Sequence, residues 1–88
     1  MLVRTVNNAH AGYKVHRIAW SPNGNLIASA GWDNKINIWG GTKMELLHSY
    51  ERTTNSIDMS PAGPFMLTAD INGSVHLMKV ALLEPYYN

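Results

Sequence analysis

Ser21-Pro22-Asn23-Gly24 returns as Ser60-Pro61-Ala62-Gly63, at an offset of 39 residues. At the same offset, Leu26-Ile27-Ala28-Ser29-Ala30 faces Phe65-Met66-Leu67-Thr68-Ala69, and Lys35-Ile36-Asn37-Ile38-Trp39 faces Ser74-Val75-His76-Leu77-Met78. Upstream of the turn, Ile18-Ala19-Trp20 matches Ile57-Asp58-Met59. Apolar character survives at most matched positions, so the chain reads as two copies of one unit. A repeat of this length marks architectures in which each unit buries its apolar face by stacking on a neighbour.

Within each copy the pattern is β. Val15, Ile18 and Trp20 lead into the Ser-Pro turn, where Pro22 presets φ and Gly24 accepts positive φ. Leu26 to Ala30 is a short apolar run. Gly31-Trp32-Asp33-Asn34 is the next turn, and Ile36 and Ile38 alternate with polar neighbours as a third strand requires. After Gly40-Gly41, Glu45 to Tyr50 reads as a fourth, outer strand. In the second copy Asn72-Gly73 is a strong hairpin signal. No segment holds a helical period over two turns, so the expected fold is all-β, with two four-stranded antiparallel units.

Ala9-His10, Val15 to Gly24, Leu26 to Ala30, Asp33 and Ile38-Trp39 together resemble one WD40 repeat, a blade of a β-propeller. The usual Gly-His pair stands as Ala9-His10 and the usual Trp-Asp pair as Trp39-Gly40. The second copy keeps the strand pattern but resembles the repeat less closely. The resemblance implies a hydrogen-bonded tetrad of His10, Ser29, Asp33 and Trp39: Asp33 holds a neutral His10, His10 bonds the Ser29 hydroxyl, and that oxygen accepts from the indole. In the second copy Thr68 replaces Ser29, Asn72 sits at the position of Asp33, Met78 replaces Trp39, and no histidine matches His10.

A serine, a histidine and an aspartate in one network also invite a hydrolase reading. It fails on chemistry, because catalysis needs an exposed nucleophile beside a base and an oxyanion hole. Ser29 lies mid-strand with its oxygen committed to Trp39, and there is no Gly-x-Ser-x-Gly elbow. The expectation is a non-enzyme without catalytic residues. His10, His16, His48 and His76 lack zinc-site spacing, Gly40-Gly41 lacks the Lys-Ser of a phosphate loop, and the five methionines suit core filling. No metal or cofactor is expected. Asn72-Gly73-Ser74 fits a glycosylation sequon, but the hairpin turn accounts for it.

Composition narrows the classes further. The 88 residues carry a net charge of +1 and no cysteine. The seven basic residues are scattered, without the patch that phosphate contacts need. No stretch approaches the roughly 20 apolar residues of a membrane helix, and Met1-Leu2-Val3-Arg4-Thr5 lacks the apolar core of a signal peptide. The reading is a cytoplasmic or nuclear protein that does not contact nucleic acid directly and has no membrane span.

The resemblance implies a protein-binding scaffold that meets a partner protein or peptide through loops on one face of the disc. Trp32 sits at a turn tip, Tyr13 in the loop after His10, and Arg52 in the equivalent loop of the second copy; Trp, Tyr and Arg are the residue types enriched in binding hot spots. The competing reading is a lectin-like propeller, formed by self-assembly, in which Trp32 stacks on a sugar. Two repeats do not close a ring. Leu2 to Val6 resembles the outer strand that precedes the histidine, which divides the chain into units 1–43 and 44–88, each an outer strand followed by three more. Since propellers have about 4–8 blades, the others are expected from a longer chain or from copies of this one, as a trimer or tetramer.

Overall fold

The computed structural model describes residues 1–41 and 43–80. Seven strands follow in order: β1 (Val15–Trp20), β2 (Leu26–Gly31), β3 (Lys35–Gly40), β4 (Glu45–Glu51), β5 (Ser56–Met59), β6 (Phe65–Ala69) and β7 (Val75–Lys79). They form two antiparallel meanders, a four-stranded sheet β1-β2-β3-β4 and a three-stranded sheet β5-β6-β7. There is no helix among the described residues, and therefore none long and apolar enough to cross a membrane.

The repeat seen in sequence recurs in the hydrogen bonds. The Ser21 N–H donates to Leu26 C=O at 2.8 Å, and the Ser60 N–H to Phe65 C=O at 2.9 Å. The Gly41 N–H reaches Asn25 C=O at 2.8 Å, and the Val80 N–H reaches Pro64 C=O at 2.7 Å. In the second hairpin of each sheet the matched residues Asn34 and Gly73 take positive φ, at 63° and 89°. Asparagine tolerates this region better than most residues and glycine enters it freely.

Side-chain alternation gives each sheet two faces. In the first sheet Leu26, Ala28 and Ala30 of β2 and Ile36 and Ile38 of β3 point one way and are buried. They pack on Met59, Met66 and Val80 of the second sheet, with Ile57 and Met78 at the margin. That sheet-on-sheet contact is the core. The opposite face of the first sheet carries Ile18, Trp20, Ile27, Ser29 and Trp39; the opposite face of the second carries Leu67, Val75 and Leu77, which are exposed.

Two expectations are modified. Leu2 to Val6 forms no strand: a strand exists by pairing, and these residues pair with neither sheet. The second sheet shows three strands among the described residues; a fourth from the tail would fall on residues 81–88, outside them. The outer strand β4 hydrogen-bonds to β3, so in space it completes the first sheet.

Candidate functional site

His10 lies in the irregular segment before β1, which is folded tightly by positive φ at Asn8 (54°) and Ala11 (53°). The Asn37 amide donates to Ala9 C=O at 2.9 Å, and Ser49 Oγ donates to Asn37 Oδ1 at 2.6 Å, so two strands pin this segment onto the free face of the first sheet. There His10 is buried. Its Nδ1 is 2.8 Å from Asp33 Oδ1 and its Nε2 is 2.7 Å from Ser29 Oγ, while Trp39 Nε1 donates to the same Ser29 oxygen at 2.8 Å.

Donor chemistry sets the direction of this chain. An indole N–H only donates and an ionised carboxylate only accepts. Nδ1 therefore carries a proton toward Asp33, and in the neutral tautomer Nε2 accepts the Ser29 O–H. Ser29 accepts from Trp39, so its oxygen serves structure and is not a free nucleophile. Asp33 Oδ1 also accepts the Lys35 N–H at 3.3 Å, which ties the hairpin turn to the network.

The WD domain, G-beta repeat family profile matches residues 2–40, the stretch that contains all four of these side chains. Residues 2–40 are a WD40 repeat. Protein hir-1 of Neurospora crassa is 30% identical over 74 residues, which cover 81% of this chain and 7% of that protein. Protein Atg16l2 of Homo sapiens is 31% identical over 80 residues, 85% of this chain and 13% of its own. The probable cytosolic iron-sulfur protein assembly protein CIAO1 homolog of Schistosoma japonicum is 24% identical over 87 residues, 90% of this chain and 25% of its own. The chain thus spans a quarter or less of these curated relatives.

One residue of the WD40 network is invisible to motif reading. A Cβ on Gly31 would run into the His10 ring and lie 2.7 Å from Asp33 Oδ1. Gly31 is the floor on which the histidine rests, and Asn37 is the peg that holds its loop. The position matching Gly31 in the second unit is Asp70. The loop before β5 is also short: four residues separate β4 from β5. This unit has neither the loop to carry a histidine nor the space to receive one.

The consequence is an orphan. Thr68, the counterpart of Ser29, is buried, and its hydroxyl has no hydrogen-bond partner among the described residues. A buried unpaired hydroxyl costs about 1–3 kcal/mol. Thr68→Val keeps the branched shape and removes the hydroxyl, so it is expected to stabilise the protein by about 1 kcal/mol; urea denaturation checks this, and a loss of stability would contradict it.

Asp70 has a different task. Its Oδ1 accepts the Asn72 and Ser74 N–H groups at 2.9 and 3.0 Å, and its Oδ2 lies 3.1 Å from His76 Nε2. The His76 hydrogen bond, followed by the backbone bond from Ser74, lowers the Asp70 pKa. A lowered carboxylate stabilises the fold fully above its unfolded value of about 3.9, and the contribution disappears as pH falls through the native value. Asp70→Asn should therefore flatten the acid limb of a stability profile taken from about pH 6 to 2. Superimposable acid limbs for the two proteins would contradict this role.

Of the loop residues singled out in sequence, Trp32 is 61% exposed and Tyr13 59% exposed. The Trp32 N–H bonds Lys14 C=O at 2.9 Å, and the Lys14 ammonium lies 5.2 Å from the centroid of the Trp32 ring. Trp32 borders a hollow of about 180 Å³ with His16, Asn34, Thr53, Thr54 and Ile71. Burial, and next Arg17, lowers the His16 pKa below its ordinary value. Arg52 lines an adjoining hollow of about 340 Å³ that shares Asn34 and Thr53. Its N–H bonds Asn34 C=O at 2.8 Å, joining the β4–β5 loop to the β2–β3 turn. Trp32 and Arg52 thus flank one seam, whereas Tyr13 lines neither hollow. Sequence reading missed His16, Asn34, Thr53 and Ile71, because the seam is made by loops distant in the chain. No cluster of three metal-ligating side chains occurs among the described residues.

Proposed function

We propose that this chain is a non-catalytic protein-binding module that meets a partner protein or peptide along the seam flanked by Trp32 and Arg52, with Tyr13 beside it. The observation that carries the reading is the exposed Trp32 ring, held by Lys14 at the rim of a hollow. A large aromatic fixed at a surface loses little conformational freedom on binding and offers both apolar area and an N–H. The commitment of the Ser29 hydroxyl to His10 and Trp39 supports a non-enzymatic role.

An intracellular setting accords with a cysteine-free chain and with the word cytosolic in the name of one relative. We propose repeat units 1–43 and 44–88, each beginning with its outer strand, as part of a ring. The remaining blades come from a longer chain or from copies of this one, and three or four copies reach six or eight blades, within the roughly 4–8 of known propellers.

The test is affinity capture on the immobilised chain alongside its Trp32→Ala variant. The expected outcome is a discrete set of proteins retained by the natural chain and reduced at least about tenfold by the substitution, equivalent to about 1.4 kcal/mol. Saturable binding on a glycan array, abolished by the same substitution, would instead establish the lectin-like reading, in which the exposed ring stacks on a sugar.

A further inference from the structure

The dipeptide Asn-Gly occurs twice, at 23–24 and at 72–73. Both pairs stand at the same point of a tight turn. The Gly24 N–H closes its turn on Ser21 C=O at 2.9 Å, and the Gly73 N–H closes its turn on Asp70 C=O at 3.3 Å. Both glycines take positive φ, at 77° and 89°, and both asparagines are exposed. What differs is the side chain that clamps each turn.

In the first turn the asparagine itself is the clamp. Asn23 Oδ1 accepts the Ser21 O–H at 2.8 Å and the Asn25 N–H at 3.0 Å. Ser21 is fixed in turn, because it is buried and its Oγ accepts the Leu26 N–H at 2.9 Å. In the second turn the clamp is Asp70, whose Oδ1 accepts the Asn72 and Ser74 N–H groups. Asn72 gives this arrangement only its backbone N–H; its side-chain amide has no hydrogen-bond partner among the described residues.

An asparagine followed by glycine is open to attack by its own backbone, because glycine has no Cβ to crowd its nitrogen and permits the backbone excursions that ring closure needs. The Gly73 nitrogen gives its proton to a base in solvent and attacks Asn72 Cγ. As the new N–Cγ bond closes a succinimide ring, the Cγ–Nδ2 bond breaks and ammonia leaves with a proton from water. Water then opens the ring. Addition at Cγ leaves aspartate; addition at the main-chain carbonyl carbon leaves isoaspartate, in which the backbone runs through Cβ and Cγ. Water is the only co-reactant, and nothing is oxidised or reduced.

We propose that Asn72 is a site of spontaneous deamidation in the folded protein, and that the hydrogen bonds on Asn23 protect the other Asn-Gly pair. To reach Cγ, the Gly73 nitrogen has only to release a bond of 3.3 Å, longer than the usual 2.9–3.0 Å. At Asn23 the shorter bond from Gly24 and both bonds to Oδ1 must break before the side chain can turn toward the nitrogen. Those extra bonds slow the reaction at Asn23 by at least about tenfold relative to Asn72.

The product changes the turn in which it forms. Either acid adds a negative charge close to Asp70 and takes the net charge from +1 to zero. Isoaspartate also lengthens the backbone and carries the Ser74 N–H away from Asp70 Oδ1. Ile71, the neighbour of Asn72, lines the hollow beside Trp32, so the altered turn lies at the proposed binding seam. That last consequence rests on the function proposed above; the chemistry at Asn72 does not.

The experiment incubates the 88-residue chain in mildly alkaline buffer, folded in one series and unfolded in urea in another. Samples are digested with trypsin, which places Asn23 in the peptide 18–35 and Asn72 in the peptide 53–79. Fragment masses then give the rate of amide-to-acid conversion at each asparagine. In the folded chain Asn72 is expected to react at least about tenfold faster than Asn23, and in urea the two rates should converge. Equal rates in the folded chain, or a faster Asn23, would overturn the proposal. A difference that persists undiminished in urea would assign the selectivity to local sequence and overturn the protection by the turn. The effect on the turn is read separately, on the isoaspartyl fraction isolated by ion exchange. Its Ser74 amide hydrogen should exchange faster than in the unmodified chain, and unchanged exchange would refute that effect. These rates are measured without any partner, so they stand or fall independently of the binding seam.

Discussion

Trp39→Ala is expected to lower the unfolding free energy by about 3–5 kcal/mol, the range for truncating a buried aromatic. The indole is 6% exposed, pairs with Ile27 across the sheet, and donates to Ser29. Truncation removes its packing and leaves Ser29 without one of its two partners. Met78→Ala, at the matched position, deletes a side chain that belongs to no network and is expected to cost about 2–5 kcal/mol from packing alone. The two effects are separable by a cycle. In a Ser29→Ala background the hydrogen-bonded part of the Trp39 loss is already gone, so Trp39→Ala should cost about 1 kcal/mol less there, whereas Met78→Ala should cost the same in both backgrounds. A near-zero effect of Trp39→Ala in urea or thermal denaturation would remove the indole from the core.

Gly31→Ala is the second large effect, and the less obvious one. Alanine differs by one methyl group, yet that methyl would occupy space filled by the His10 ring and crowd Asp33. Overpacking costs about 1–3 kcal/mol. Displacing His10 also breaks its bonds to Asp33 and Ser29, each worth about 1 kcal/mol net. A total of about 3–4 kcal/mol follows. If the His10 ring is the obstacle, removing it should relieve the cost: in a His10→Ala background, Gly31→Ala should fall below about 1 kcal/mol. An undiminished penalty there would place the strain in the backbone instead.

The contrast between the two units links these effects. In the first, a long loop, a glycine floor and an asparagine peg bring a histidine under the turn, and Ser29 and Trp39 complete the network. In the second, the short loop and Asp70 exclude a histidine, and Thr68 is left with a buried hydroxyl and no partner among the described residues. Loss of the ring's space, loss of the ring and loss of the indole occur together, as expected for a network that stabilises fully satisfied and costs when half satisfied.

Much was legible in the chain itself. The repeated Ser-Pro turn set the register of the two units, and because side chains alternate along a strand, that register also assigned every apolar residue to one face or the other. His10, Ser29, Asp33 and Trp39 could be named because the residue types and turn positions of this network are local signals. Only the tertiary structure decided which face is covered and which is free. Ile18 and Ile57 are the same residue at the same point of the repeat, yet one faces solvent and the other the core, because the difference lies in the neighbouring sheet and not in the strand. The same holds for the Trp32–Arg52 seam and for Gly31. A seam between loops and a missing methyl beneath a ring are properties of space between distant residues, and a one-dimensional pattern does not encode them.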